Sequence, residues 1–494
     1  MFSKGLWGYL PANILQGLIG FATLMVFTRV LSPDDYGRYA LTFGISSLAQ
    51  TLFFTWIEAA MARFYPAESR INPEAPELYG TVYRLFAIVA IVFAIACALG
   101  LWLWPVSAEA GQSLKMAQSL KTAMGLGLGC VIFRSLIKLV QEQRRSEGRV
   151  GAASILDMVQ TTGGFGLGVL CATAGLGGAS PIVGGGLIAL LCLPFVARED
   201  WGRALKGRFS AEKAKAYAHY GFPVSASLIL TLALYTADRF LIAYFLNDAE
   251  AGAYHAGFSL ASRILDVLFI WFGAAGCPAM VHALEHGGVA ELKENARHQI
   301  RTMAFILFPA VGGLIMVAPA LGTLLIGEGL RADALMVTPL ISLGALFSGL
   351  NTYYFLQAFT LARKTRLLVV AMAVPAVSNI TLNLLLIPLM GLMGAAVASC
   401  LSFALGLLGS WLLGLKTLAL PVPAGDLGKT LLSVAIMMAA VALVPALNMP
   451  IFDLVARGMA GVIVYATMSW LFDLNDIREP ALKIFNRLRS KVFA

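Results

Sequence analysis

Stretches of about twenty apolar residues recur from one end of this chain to the other, and no other feature constrains its fold as strongly. The hydrocarbon core of a bilayer is about 30 Å thick and an α-helix rises about 1.5 Å per residue, so each stretch is long enough to cross it. About fourteen are present, near 8–31, 39–61, 81–104, 119–140, 152–174, 181–197, 220–246, 253–281, 302–326, 335–361, 367–389, 392–415, 430–447 and 453–472. Within lipid every backbone N–H and C=O must be satisfied inside the segment, which makes runs of this length helices. The first follows a single Lys4 and lacks a small-residue cleavage site, so it reads as a retained helix rather than a signal peptide. Hydrophobic residues are 59% of the 494, above the roughly 45–50% of soluble domains, so a soluble core is excluded. The expected fold class is an all-α integral membrane protein. Cysteines 97, 130, 171, 192, 277 and 400 all lie inside spans with no CxxC pair, and are read as packing residues.

The net charge of +9 would suggest nucleic acid if it formed one soluble patch, but its distribution points elsewhere. With the N-terminus inside, 25 lysines and arginines fall in internal segments and four, Arg38, Lys115, Lys121 and Arg331, in external ones. This is the positive-inside pattern along the whole chain. It predicts a multi-pass protein with both termini cytoplasmic, an even number of spans and no nucleic-acid partner. The external segments 175–180, 247–252 and 448–452 leave no room for an extracytoplasmic domain.

The segment Arg198 to Tyr220 carries six basic residues and Trp201, which predicts an amphipathic helix on the inner membrane surface. It separates two sets of six spans. Leu31-Ser-Pro-Asp-Asp35-Tyr-Gly37-Arg-Tyr39 recurs as Leu246-Asn-Asp-Ala-Glu250-Ala-Gly252-Ala-Tyr254, an offset of 215 that also aligns Phe43 with Phe258. Both copies join an outward-running span to an inward-running one, so the repeat is parallel. The expected organisation is a six-helix bundle over 1–200, a cytoplasmic linker over 201–219, a second six-helix bundle over 220–415, and two further helices with a basic tail over 416–494.

The run from Gln16-Gly17 through Thr28-Arg29-Val-Leu-Ser-Pro-Asp-Asp-Tyr-Gly37-Arg-Tyr-Ala-Leu41 resembles the first helix pair of the polysaccharide transporter family. Gly221-Phe-Pro223, Asp238-Arg239-Phe-Leu-Ile and Ala251-Gly252-Ala-Tyr254 are similar to its second-half signature. That family, of O-antigen and exopolysaccharide flippases, belongs to the multidrug/oligosaccharidyl-lipid/polysaccharide exporter superfamily. The resemblance implies two six-helix bundles related by a pseudo-twofold axis around a central cavity. It also implies a bacterial cytoplasmic-membrane location and a flippase moving polyprenyl-diphosphate-linked oligosaccharides outward, with other polysaccharide-assembly proteins as partners. The two extra C-terminal helices are also similar to the lipid II flippases.

Seven cations lie within or at the ends of spans: Arg29, Arg84, Arg134, Lys138, Arg239, Arg263 and Arg457. Each costs at least about 2.5 kcal/mol at mid-bilayer, so such residues face protein or a wet cavity. A diphosphate needs several cationic donors, and the guanidinium fork suits its oxygens. The first six of the seven are the candidate cargo ligands, and Arg457 is read as structural. Arg134 and Lys138, four residues apart, share one helical face. Arg29, Arg84 and Lys138 lie near span ends, where snorkelling to head groups competes with a cavity role. Arg263 has Asp266 at i+3 as a neutralising neighbour, and Arg239 adjoins Asp238. Glu58, Asp157, Asp238 and Asp266 are candidates for binding a coupling proton or sodium, against a plain charge-pairing role. Tyr353, Tyr354 and Gln357 are candidates for sugar contact, with packing as the competing role.

No cofactor or metal is expected. His282-Ala-Leu-Glu285-His286 matches a zinc pattern but has no third ligand, and Gly425-Asp-Leu-Gly428-Lys429-Thr430 lacks the first glycine and the strand of a P-loop. The competing functions are a lipid II flippase, a cation-coupled drug exporter, whose cargo would prefer an acidic cavity, and a membrane glycosyltransferase or polymerase, which would need a sizeable extracytoplasmic domain.

Overall fold

The structure, a computed structural model, describes residues 2–103 and 111–479; the basic tail with Lys483, Arg487, Arg489 and Lys491 lies outside the described residues. Its main elements are α1 (Phe2–Val30), α2 (Pro33–Phe53), α3 (Thr55–Ile71), α4 (Pro76–Leu103), α5 (Gly111–Ser146), α6 (Val150–Thr173), α7 (Ser180–Val196), α8 (Arg198–Lys206), α9 (Ala211–Phe245), α10 (Asp248–Leu325), α11 (Glu328–Leu350), α12 (Gln357–Leu361), α13 (Thr365–Leu415), α14 (Ala424–Ala442) and α15 (Pro450–Phe472). No strand occurs among the described residues. Among the described residues, eleven helices are long and apolar enough to cross a membrane, twelve with α2 and α3 taken as one span bent by 45°. Two of these are themselves pairs. α10 breaks at Gly288 (φ 67°) and α13 at Gly391 (φ 59°), positive angles that glycine adopts without the steric cost of a Cβ. Counting each as two gives the fourteen spans expected.

The chain divides into two compact units, Met1–His255 and Ala256–Ala494. In the first, α5 packs against α2, α3 and α7, α1 lies on α6, and α9 packs on α2 and α3. One core gathers Phe54, Tyr79, Phe86, Leu139 and Tyr217, and another Ile137, Val140, Leu156 and Leu193. In the second unit α11 packs on α13 and α14 on α15. The last two helices are tied to the second half of α10: Tyr465 donates to the Phe305 carbonyl at 2.7 Å, and Arg301 reaches both Asp476 oxygens at 2.8 and 3.0 Å and Asp426 at 3.1 Å.

The region 198–220 is not the single surface helix its charges suggest. The first nine residues form α8, the chain turns at Gly207, and residues 211–220 open a helix that continues to Phe245. Ser210 accepts from the Lys213 amide at 3.4 Å and starts that helix. α8 is fastened by ionic bonds rather than lying free. Glu147, just after α5, accepts from Arg203 at 2.7 Å and Tyr79 at 2.9 Å, and Gln143 donates to fully buried Asp200 at 2.6 Å. Arg144 reaches Glu199 at 3.2 Å and Asp200 at 3.6 Å. Burial works to raise the Glu147 carboxyl, but the Tyr79 and Arg203 hydrogen bonds outweigh it and hold it below the usual range. For Asp200 burial prevails over Gln143 and Arg144, and its carboxyl is raised.

Candidate functional site

The two copies of the repeated motif build the same local structure. Ser32 Oγ accepts from the Asp35 amide at 3.2 Å and starts α2; Asn247 Oδ1 accepts from the Glu250 amide at 2.8 Å and starts α10. The offset between these caps is again 215 residues. The copies then cross each other at their shared glycines. A Cβ on Gly252 would sit 2.8 Å from the Gly37 nitrogen, and one on Gly37 would collide with the Asp248 carbonyl. Arg38 closes the crossing: its Nε donates to Asp248 at 3.1 Å, and one terminal nitrogen donates to Asp35 and to Ser119, each at 3.1 Å. Tyr36, Tyr39 and Phe43 surround the His255 ring, with centroids 5.8–6.5 Å away. Arg38 is therefore a buried, ion-paired residue and not the loop charge its position suggests.

Arg134 and Lys138 are in opposite circumstances. They stand one turn apart on α5, and neither makes a hydrogen bond or an ion pair with another described residue. The leading electrostatic neighbours of Arg134 are Tyr39 and Cys130, and it lies beside Gly185 of α7, where a Cβ would be 3.8 Å from its Cδ. Lys138 has Glu58 of α3, Arg134 and Asp157 of α6 in its field. Ser135 Oγ between them, and Thr42 Oγ1 and Ser46 Oγ on α2, are buried without hydrogen-bond partners. Buried polar atoms in native proteins are normally satisfied, so this interior has donors and acceptors to spare for water or a ligand.

A model of a family described as polysaccharide biosynthesis protein matches residues 26–331, a range that contains both motif copies, Arg134 and Lys138. The chain belongs to the polysaccharide biosynthesis protein family. No curated protein matches it in sequence. Its fold is that of solved transporters. A lipid II flippase, MurJ, in an inward closed conformation aligns with TM-score 0.75 at 16% identity, over 95% of this chain and 99% of the flippase. An inward-facing multidrug transporter of the MATE family aligns with TM-score 0.66 at 16% identity, over 81% and 94%. A transporter of the same superfamily from Pyrococcus furiosus aligns with TM-score 0.51 at 17% identity, over 83% and 92%. The fold is the one these solved transporters share.

The other candidate residues of this polysaccharide biosynthesis protein are scattered. Arg29, exposed at the end of α1, donates to the Met25 carbonyl at 2.7 Å. Arg84 heads the exposed apolar stripe of α4 that continues through Ile88, Ile91, Val92, Ile95 and Leu99. The structure does not bring it together with Arg134, and its stripe is the one that snorkelling requires. Arg239 is buried and donates to the Tyr235 carbonyl; Asp238 accepts from Tyr254 at 2.8 Å. Asp157 accepts from Gln16 of α1. Glu58 is half-buried in the field of Lys138. In the second unit, Arg263 is half-buried and Asp266 exposed, and the pair expected from their i+3 spacing does not close as an ion pair.

Arg38, Asp248 and Tyr39 are the residues that sequence reasoning passed over. Their signal was present in the repeat itself: both copies keep a glycine at the same position, and the partner that needs each glycine bare is the other copy.

Proposed function

We propose that this protein is a flippase that carries polyprenyl-diphosphate-linked oligosaccharide units from the cytoplasmic to the outer leaflet by alternating access, for surface polysaccharide assembly. The observation that carries the reading is the pair Arg134 and Lys138, two cations on one face of a membrane helix, unpaired by protein, in a chain of the polysaccharide biosynthesis protein family. Unpaired intramembrane cations are costly and persist where a cargo or pathway uses them. A diphosphate supplies the missing acceptors, and Arg134 offers it a fork of two N–H donors. With both termini in the cytoplasm, as the charge distribution supports, the Gly37–Gly252 crossing lies at the outer end and the Arg38 bonds hold that end shut. The working halves are the bundles 1–200 and 220–415. Glu58, Asp157, Asp238 and Asp266 are the carboxylates available to a coupling proton or sodium.

Reconstituted into liposomes, the protein is expected to move fluorescent undecaprenyl-diphosphate oligosaccharide between leaflets. Failure to move that lipid under an imposed proton or sodium gradient sinks the reading. The alignment over 95% of the chain with a lipid II flippase supports a second reading, in which lipid II is the cargo. Preference for lipid II over the oligosaccharide lipid in the same liposomes selects it.

A further inference from the structure

Between α11 and α12 the chain is not a regular helix. Residues Asn351–Phe355 widen into a π turn, closed by the Leu356 amide donating to the Asn351 carbonyl at 2.8 Å. Such turns are rare and concentrate at functional sites. This one presents Tyr353 to α10, where its ring stacks on Phe269 with centroids 5.8 Å apart and planes 12° apart. α10 is bare at that point, since a Cβ on Gly273 would lie 2.6 Å from the Tyr353 ring. Gln299 fixes the turn by donating to the Tyr353 carbonyl at 3.2 Å.

The polar groups around this aromatic pair are unspent. The Tyr353 hydroxyl makes no hydrogen bond with a described residue, and its leading electrostatic neighbour is exposed Asp266. Arg263 Nε is buried without a partner although Asp266 follows it by three residues. Gln299 Oε1 and Asn351 Oδ1, on side chains of residues 7% and 6% exposed, are also without partners. Asp266, two helical turns before Gly273 on α10, shares the face on which the Tyr353 ring rests, so an acceptor and a donor are offered together. A phosphate, which only accepts hydrogen bonds at neutral pH, is repelled by Asp266. Sugar hydroxyls donate and accept at once, and their C–H faces suit an aromatic surface.

We propose that Asp266 and Tyr353, backed by the Phe269 ring and by Gln299, which fixes the turn, form a subsite for neutral sugar rings of the cargo, separate from the diphosphate site on Arg134 and Lys138. The proposal rests on the flippase reading. It is tested on purified protein in nanodiscs with two probes, undecaprenyl diphosphate and the same lipid carrying an oligosaccharide of neutral hexoses. Wild type is expected to bind the glycosylated lipid more tightly. Asp266→Asn and Tyr353→Phe are each expected to cut that preference about tenfold, the scale of one or two lost hydrogen bonds, with affinity for the bare lipid unchanged. Arg134→Ala should weaken both lipids equally. Equal binding of the two lipids by wild type, or an intact preference in both variants, overturns the subsite and leaves the flippase reading standing. Binding of neither lipid by wild type removes the flippase reading and the subsite with it.

Discussion

Arg38 and Arg134 belong to the same unit and differ in their company. Arg38 is bonded to two carboxylates and a serine at 3.1 Å each, between the two copies of a repeated motif. Arg134 stands on α5 beside a glycine, with a tyrosine and a thiol as its electrostatic neighbours and no ion pair. A buried charge bonded to two carboxylates works for the fold, because removing one partner strands the other. Arg134, half-buried in a membrane helix and without such bonds, is a charge whose donors remain open to a ligand. The same division separates Arg144 and Arg203, bound to carboxylates at 2.7–3.6 Å, from Lys138.

The contrast breaks most visibly at the paired side. Asp248→Asn leaves Arg38 with half its charge partners and is expected to cost on the order of 3 kcal/mol, read as a lowered unfolding temperature in detergent. A double-mutant cycle over Arg38 and Asp248 should return a coupling of at least about 1 kcal/mol; additive effects would show that the two do not act together. Arg134→Ala should leave the unfolding temperature unchanged or raised, while slowing transport of the lipid-linked oligosaccharide about ten- to hundredfold, the worth of one charge-assisted hydrogen bond or two. Arg134→Lys keeps the charge but loses the fork, and a loss of only severalfold is expected. Equal rates for the lysine and alanine variants would mean that charge alone does not matter there.

The smallest effect concerns pH. The Glu147 carboxyl is held below its usual range, so its contribution to stability is present above that range and is lost as pH falls through the lowered folded value. Glu147→Gln should therefore be less stable than wild type at neutral pH, with the difference shrinking in acid. Because Asp200 is shifted the other way by burial, Asp200→Asn should not show this acid-dependent narrowing.

Most of the architecture was legible because the signal is local. Each span declares itself by twenty apolar residues, and the two glycine breaks at 288 and 391 fall between spans that hydropathy had already separated. Helix starts were less legible. α2 begins at Pro33, capped by Ser32, six residues before the apolar run, and that extra length carries Arg38 into a buried crossing. A contact between residues about 215 apart has no local signature beyond the repeat. The linker misled for the opposite reason: its charges alternate as on a surface helix, yet Gly207 turns the chain and α8's charges are used by Gln143, Arg144 and Glu147. Arg134 and Lys138 were visible as cations sharing one face of a span, but whether protein had already satisfied them is a tertiary fact.

One measurement bears most directly on the central claim, that unbonded cations of α5 exist for an anionic cargo. Wild type and the double variant Arg134→Ala, Lys138→Ala are reconstituted with fluorescent undecaprenyl-diphosphate oligosaccharide, and leaflet exchange and unfolding temperature are followed on the same preparations. The account predicts that exchange is abolished while the unfolding temperature is maintained. Exchange at the wild-type rate by a stably folded double variant would contradict it.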